Sequence, residues 1–216
     1  MSWDVSAAKL FESGIDRGVF YPKSAGTYPA GYAWEGLISV TEKPGGAEVT
    51  DLFANNAKYA GLVSVETFEG TIEAYTFPNE FLAAMGMVEH TTDTGVIIAQ
   101  QARIPFALCY RTRLGSDAAG DQANYKIHII YGCIASPSEV ARQTVGDSPE
   151  AVTLSWDFKS TPAAATGYQP VSKIVLDESV LTSGNLAALE SQLYGDSVGP
   201  ITANCPLPDA LFALLT

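Results

Sequence analysis

The chain has 216 residues, 24 acids against 12 bases for a formal charge of −12, and 47 % apolar residues, enough to furnish the core of one domain. Charged residues make up only 17 %, against roughly 25 % in an ordinary soluble protein, and with no Lys/Arg surplus to neutralise phosphates the chain is no basic nucleic-acid binder. The longest charge-free stretch, Ser160 to Ser172, is far short of the ~20 apolar residues of a membrane-spanning helix and contains Pro, Gly and polar groups, so no membrane insertion is expected.

In chain order, Gly31 to Val40 predicts a strand and Lys43 to Glu48 a hairpin loop, while Asp51 to Tyr59 fits neither period. Leu62 to Phe77 is the clearest strand. From Thr67 onward Thr67, Glu69, Thr71 and Glu73 share one parity, and Phe68, Gly70, Ile72 and Ala74 the other; period two means one wet face and one packed face. Asn79 to Met85 predicts a short helix ended by Gly86, and Gly95 to Gln101 a further strand. Phe106, Leu108, Tyr110, Thr112 and Leu114 alternate with Ala107, Cys109, Arg111 and Arg113, and Gly115 to Asp121 reads as a hairpin loop. Tyr125, Ile127, Ile129 and Tyr131 then alternate with Asn124, Lys126 and His128, which places His128 on the wet parity. Val152, Leu154, Trp156 and Phe158 alternate with Thr153, Ser155, Asp157 and Lys159, and Val171 to Asp177 predicts one more strand. Ser183-Gly184-Asn185 opens a helix whose stripe is Leu186, Leu189 and Leu193, with Gly195 just past its end. Turn-rich breaks fall at Gly146 to Pro149 and Ser197 to Pro208. The expected fold is mainly β: a β-sandwich of two packed sheets with a flanking α-helix. Phe68, Ile72, Ala74, Ile127, Ile129 and Trp156 are its expected core.

Chemistry-bearing motifs are few. Asp93-Thr94-Gly95 matches the aspartic-protease tripeptide, but that chemistry needs two copies in a desolvated dyad. Here a single copy follows Thr91 and Thr92, so a polar turn is expected. Glu69 and Glu73 are a conceivable hydrolase pair; at i and i+4 on a strand their Cα atoms lie about 13 Å apart, too far for the usual carboxylate separations. Cys109, Cys133 and Cys205 are odd in number and widely spaced, which favours reduced, buried thiols over a disulfide framework. No catalytic, metal or cofactor-binding set emerges, and no enzyme is expected.

Charge is unevenly distributed. No Lys or Arg occurs between Lys58 and Arg103, a span holding Glu66, Glu69, Glu73, Glu80, Glu89 and Asp93. Bases gather at Arg103, Arg111, Arg113 and Lys126. Two readings stay open: solubility through an acidic surface, or acidic faces lining a space closed to polyanions while the basic segment meets acids across a subunit contact.

The run ETFEGTIEAYTFPNEF, Glu66 to Phe81, resembles the signature of the major tail protein, or tail tube protein, of long non-contractile-tailed bacteriophages. GVFYP (Gly18 to Pro22), AWEGL (Ala33 to Leu37), GAEVTDLFANNAKY from Gly46 to Tyr59, QARIPFALCYRT (Gln101 to Thr112), YKIHIIYG (Tyr125 to Gly132), SPSE (Ser136 to Glu139) and LESQLYG (Leu189 to Gly195) are similar in kind and order. The resemblance covers roughly residues 15 to 195. It implies one tail tube domain over 1–216, without a C-terminal immunoglobulin-like decoration. Subunits would form hexameric rings, each lending strands to a closed inner β-barrel, and the rings would stack into a tube. Implied partners are other copies of the chain, the tape measure protein, the tail terminator and the distal tail proteins. The protein would assemble in the host bacterial cytoplasm, reside in the virion tail and conduct double-stranded DNA without binding it specifically. Six copies at −12 each give −72 per ring, so DNA would be repelled. Glu69, Thr71 and Glu73 are the expected bore-lining row, with the exterior as the other possibility for that face. Arg103, Arg111, Arg113 and Lys126 are the expected basic inter-subunit contacts. The alternative is a monomeric glycan-binding β-sandwich that would use exposed aromatics, Trp34 beside Glu35 and Tyr21.

Overall fold

The computed structural model describes residues 9–117, 120–142, 144, 151–195 and 202–215. The strands are β1 (Leu10–Pro22), β2 (Tyr32–Ala33), β3 (Leu37–Gly45), β4 (Val49–Ala54), β5 (Ala57–Val63), β6 (Thr67–Ala74), β7 (Val88–Glu89), β8 (Ile97–Ile98), β9 (Phe106–Ser116), β10 (Gly120–Ala135), β11 (Leu154–Ser160) and β12 (Lys173–Asp177). Three helices complete the described fold: α1 (Phe81–Met85), α2 (Ser183–Tyr194) and α3 (Pro208–Leu215). The chain is mainly β, with a large antiparallel sheet and flanking helices.

That sheet runs β2-β1-β9-β10-β11-β6-β3, with β12 added at β10. β10 forks. Lys126 to Ile130 pair with β12, whereas Cys133 to Ala135 pair with β11. Gly132 sits at the fork with φ 62°, and a Cβ there would lie 2.1 Å from the Thr161 carbonyl oxygen, so only glycine fits. Register against β9 shifts between Ile130 and Cys133, the mark of a bulge that bends the strand.

The bend folds one limb of the sheet over the other and creates two apolar cores. On one face of the central strands, Val19, Tyr21, Ala107, Cys109, Ile127, Ile129 and Tyr131 pack against Leu186, Leu189 and Leu193 of α2 and Leu211 of α3. On the other, Phe20, Phe106, Leu108 and Ile130 pack against Ile72, Ala74, Trp156 and Phe158 from β6 and β11, with Trp34 and Phe81 between them. Tyr21 donates its hydroxyl hydrogen to the Leu193 carbonyl at 2.6 Å, satisfying one of the otherwise unpaired C-terminal carbonyls of α2.

Several expectations change here. The two packed sheets are two limbs of one bent sheet, because β11 stays hydrogen-bonded to β10. Five of the six expected core residues are buried, split between two cores, while Phe68 is only half-buried against the second. Leu62 to Phe77 is not one strand; β5 ends at Val63 and β6 starts at Thr67. Asp51 to Tyr59 belongs to the β4–β5 hairpin, turned by Asn55 and Asn56, both left-handed at φ 52° and 61°. β1 and α3 escape the periodicity reading altogether. α2 stops before Gly195, and α1 ends at a left-handed Gly86, as expected. All three cysteines are free and buried. The breaks expected at Gly146 to Pro149 and through the first part of Ser197 to Pro208 lie outside the described residues.

Candidate functional site

β6 is flanked by β3 and β11 in a register that aligns its polar parity with theirs. Glu73 lies between Ser39 and Ser155, Thr71 between Thr41 and Asp157, and Glu69 between Lys43 and Lys159. The expected row of Glu69, Thr71 and Glu73 is therefore the middle of a polar patch three strands wide. It is also cross-braced. Ser39 Oγ donates to Glu73 at 2.8 Å, and Lys43 Nζ donates to Thr71 Oγ1 at 2.9 Å. Thr71 in turn donates to Asp157 at 2.6 Å, and Lys159 pairs with Glu69 at 2.7 Å. Three acids against two lysines leave this patch near neutral, not strongly acidic. Glu69 and Glu73 bond to different neighbours with Thr71 between them, so they do not converge as a hydrolase pair.

The four expected basic contacts are engaged within the chain. Arg111 donates from Nε and Nη2 to the two Asp16 oxygens at 2.6 and 2.8 Å, and Arg113 reaches the same carboxylate at 3.1 Å. Lys126 pairs with Glu12 at 2.9 Å, and Arg103 donates to the Met85 carbonyl at 3.3 Å. The hydrogen bond from Arg111 holds the Asp16 carboxyl below its ordinary range. Both acids sit on β1, the strand the periodicity reading did not find, so their pairing with β9 and β10 was not legible beforehand.

Where the two limbs splay apart, a cleft of 690 Å³ opens between Glu12, Tyr110, Thr112, Lys126 and His128 on one wall and Val40 and Glu42 on the other. Tyr110 and Lys173 both donate to Glu42 and so clasp β3 to β9 and β12. His128, expected on the wet parity as a solvated or interface imidazole, is only 7 % exposed, stacked on the Tyr110 ring at 4.8 Å with Nε2 2.8 Å from Thr112 Oγ1. Burial lowers its pKa, keeping the ring neutral. Among the described residues no His, Cys, Asp or Glu group of three or more is placed to hold a metal ion. Burial also pushes the Cys109 thiol up to about 12. Asp93-Thr94-Gly95 is an exposed turn with Gly95 at φ 87°.

The β4–β5 hairpin presents an exposed apolar surface. All of β4 and every residue of β5 but Ala60 are exposed. Among them stand Val49, Leu52, Phe53 at 73 %, Tyr59 at 77 %, Leu62 and Val63. This arm leaves the body at Gly46 and Ala47, both left-handed, and its base closes through hydrogen bonds between Glu48 and Ser64. The sequence signal for it was the pair Asn55-Asn56 between two apolar-rich runs. A two-stranded hairpin alone is marginally stable in water. The small β7–β8 hairpin likewise exposes Val88, Ile97 and Ile98.

No protein-family model matches this chain, and no curated protein matches it either. Among the described residues no helix is long and apolar enough to cross a membrane.

Proposed function

We propose that the protein is a structural subunit that assembles with copies of itself, and that the assembly is the tail tube of a long non-contractile-tailed phage. The observation that carries the reading is the β4–β5 arm, whose apolar side chains are left exposed by the described residues. Two features support it. Among the described residues, apart from the short β2 pairing at Val19 and Phe20, the sheet leaves unpaired edges at β1, β3 and β12, templates for pairing with another chain. The polar patch around Thr71 mixes Ser39, Thr41, Thr71 and Ser155 with three acids and two lysines, one of them ion-paired to Glu69. Facing a bore, such a surface would offer DNA no net positive charge to cling to. The ordered resemblance over residues 15 to 195 supplies the ring, the tape measure protein, the terminator and distal tail partners and the virion location.

Negative-stain microscopy of the concentrated protein tests the reading. Stacked six-fold rings with a central hole are expected. A monomer at every concentration and salt, with tail partners present, would reject it. The glycan-binding alternative draws nothing from the structure: Trp34 is 3 % exposed with its indole N–H bonded to the Thr76 carbonyl, and Tyr21 is wholly buried.

A further inference from the structure

The arm is not the one exposed apolar feature among the described residues. Between α1 and the β7–β8 hairpin runs a groove of 410 Å³ floored by Leu82, Ala83, Met87, Val88 and Ile97 and rimmed by Glu80 and Glu89. The rim lies within the span from Lys58 to Arg103 that holds no basic residue. The arm, for its part, presents two exposed aromatics, Phe53 and Tyr59, beside its single base, Lys58. Lys58 gives one hydrogen to Asp51 at 2.6 Å and keeps two more for other acceptors. An apolar tip whose lysine is shared with Asp51 thus meets an apolar floor rimmed by two acids, of which Glu89 already accepts from the Gly95 N–H at 2.7 Å.

We propose that this groove receives the arm of a second copy, with Phe53 and Tyr59 entering over Leu82, Met87 and Ile97 while Lys58 faces Glu80 and Glu89. The inference rests on the self-assembly reading and names the two surfaces that meet. Because donor and acceptor are different patches of one chain, the contact is head-to-tail and propagates into a ring or a filament. Each aromatic can bury about 150–250 Å². Two of them, three-quarters exposed, remove about 300 Å² from the arm, well below the ~800 Å² per partner of a stable pair. A lone pair of subunits is therefore weak. In a ring each subunit makes the contact twice, once as donor and once as acceptor, and closure renders the last contact intramolecular. Dilute protein is monomeric, and assembly rises steeply with concentration.

The test mixes two single variants, Phe53→Cys and Ile97→Cys, at assembling concentration under mild oxidation. The native cysteines are buried and do not compete. A disulfide-linked dimer containing one of each variant is expected, with none when Phe53→Cys is mixed with Tyr168→Cys, a similarly exposed site remote from the groove. Phe53→Ala, Val88→Asp and Glu80→Lys should each raise the half-assembly concentration at least about tenfold. If rings form without Phe53–Ile97 linkage, the groove is not the acceptor while the self-assembly reading stands. If the unsubstituted protein forms no rings and the variants no linkage at any concentration, both fail.

Discussion

The central strands and the β4–β5 arm are opposite solutions to the same problem. Phe106 to Tyr110 of β9 and Ile127 to Cys133 of β10 are buried residue after residue, because helices cover one face and a folded-back limb covers the other. The arm has the same strand chemistry and a ladder from Val49–Val63 to Ala54–Ala57 broken by one bulge after Leu52, yet both of its faces meet solvent. One region is covered on both faces within the chain; the other is exposed on both. Mutations should therefore act on stability in the first region and on association in the second.

The largest effect is expected in the doubly covered strands. Phe106→Ala removes a ring packed against Phe20 and Phe81 and should cost about 3–5 kcal/mol in denaturant unfolding. Gly132→Ala comes next: the left-handed backbone alone should cost about 1–3 kcal/mol, and the clash with Thr161 adds to it. A loss no larger than that of an exposed glycine would show that the fork of β10 tolerates another geometry.

Acid sharpens the contrast through groups that only the folded body perturbs. His128 lies below its ordinary value of 6.5, first because burial disfavours the cation. The unfolded chain takes up a proton as pH falls through 6.5 while the folded chain resists, so stability declines below that pH. Glu12 and Asp16 are held below 4.5 and 3.8, chiefly by hydrogen bonds from Thr112 and Arg111. Their contribution is present above those values and is lost as pH falls toward the folded ones. Melting temperatures from pH 8 to 3 should show two successive losses, and His128→Gln should abolish only the upper one.

The smallest effect on stability belongs to the arm. Phe53→Ser changes a side chain that touches little in the subunit, so unfolding should shift by no more than about 0.5 kcal/mol. Sedimentation of the same variant should nonetheless show assembly displaced to higher concentration. An equal change in both measurements would mean that Phe53 packs within its own chain.

Neighbouring residues are enough to fix the local matters: a β-rich chain, the wet and packed parities of β6 and β11, the stripe and stop of α2, and the buried thiols. Alternation and capping are written in neighbouring residues and need no knowledge of what lies opposite. The candidate row Glu69, Thr71 and Glu73 was legible on those terms, as one face of one strand. Its near-neutrality was not, because Lys43 and Lys159 reach it only through the register of β3 and β11. Tertiary structure alone decided that β10 forks at Gly132, that His128 goes under cover, and that Arg111 and Lys126 find their acids on β1. Each of these depends on which segments meet across long sequence separations, and a period of two specifies a face without specifying its partner.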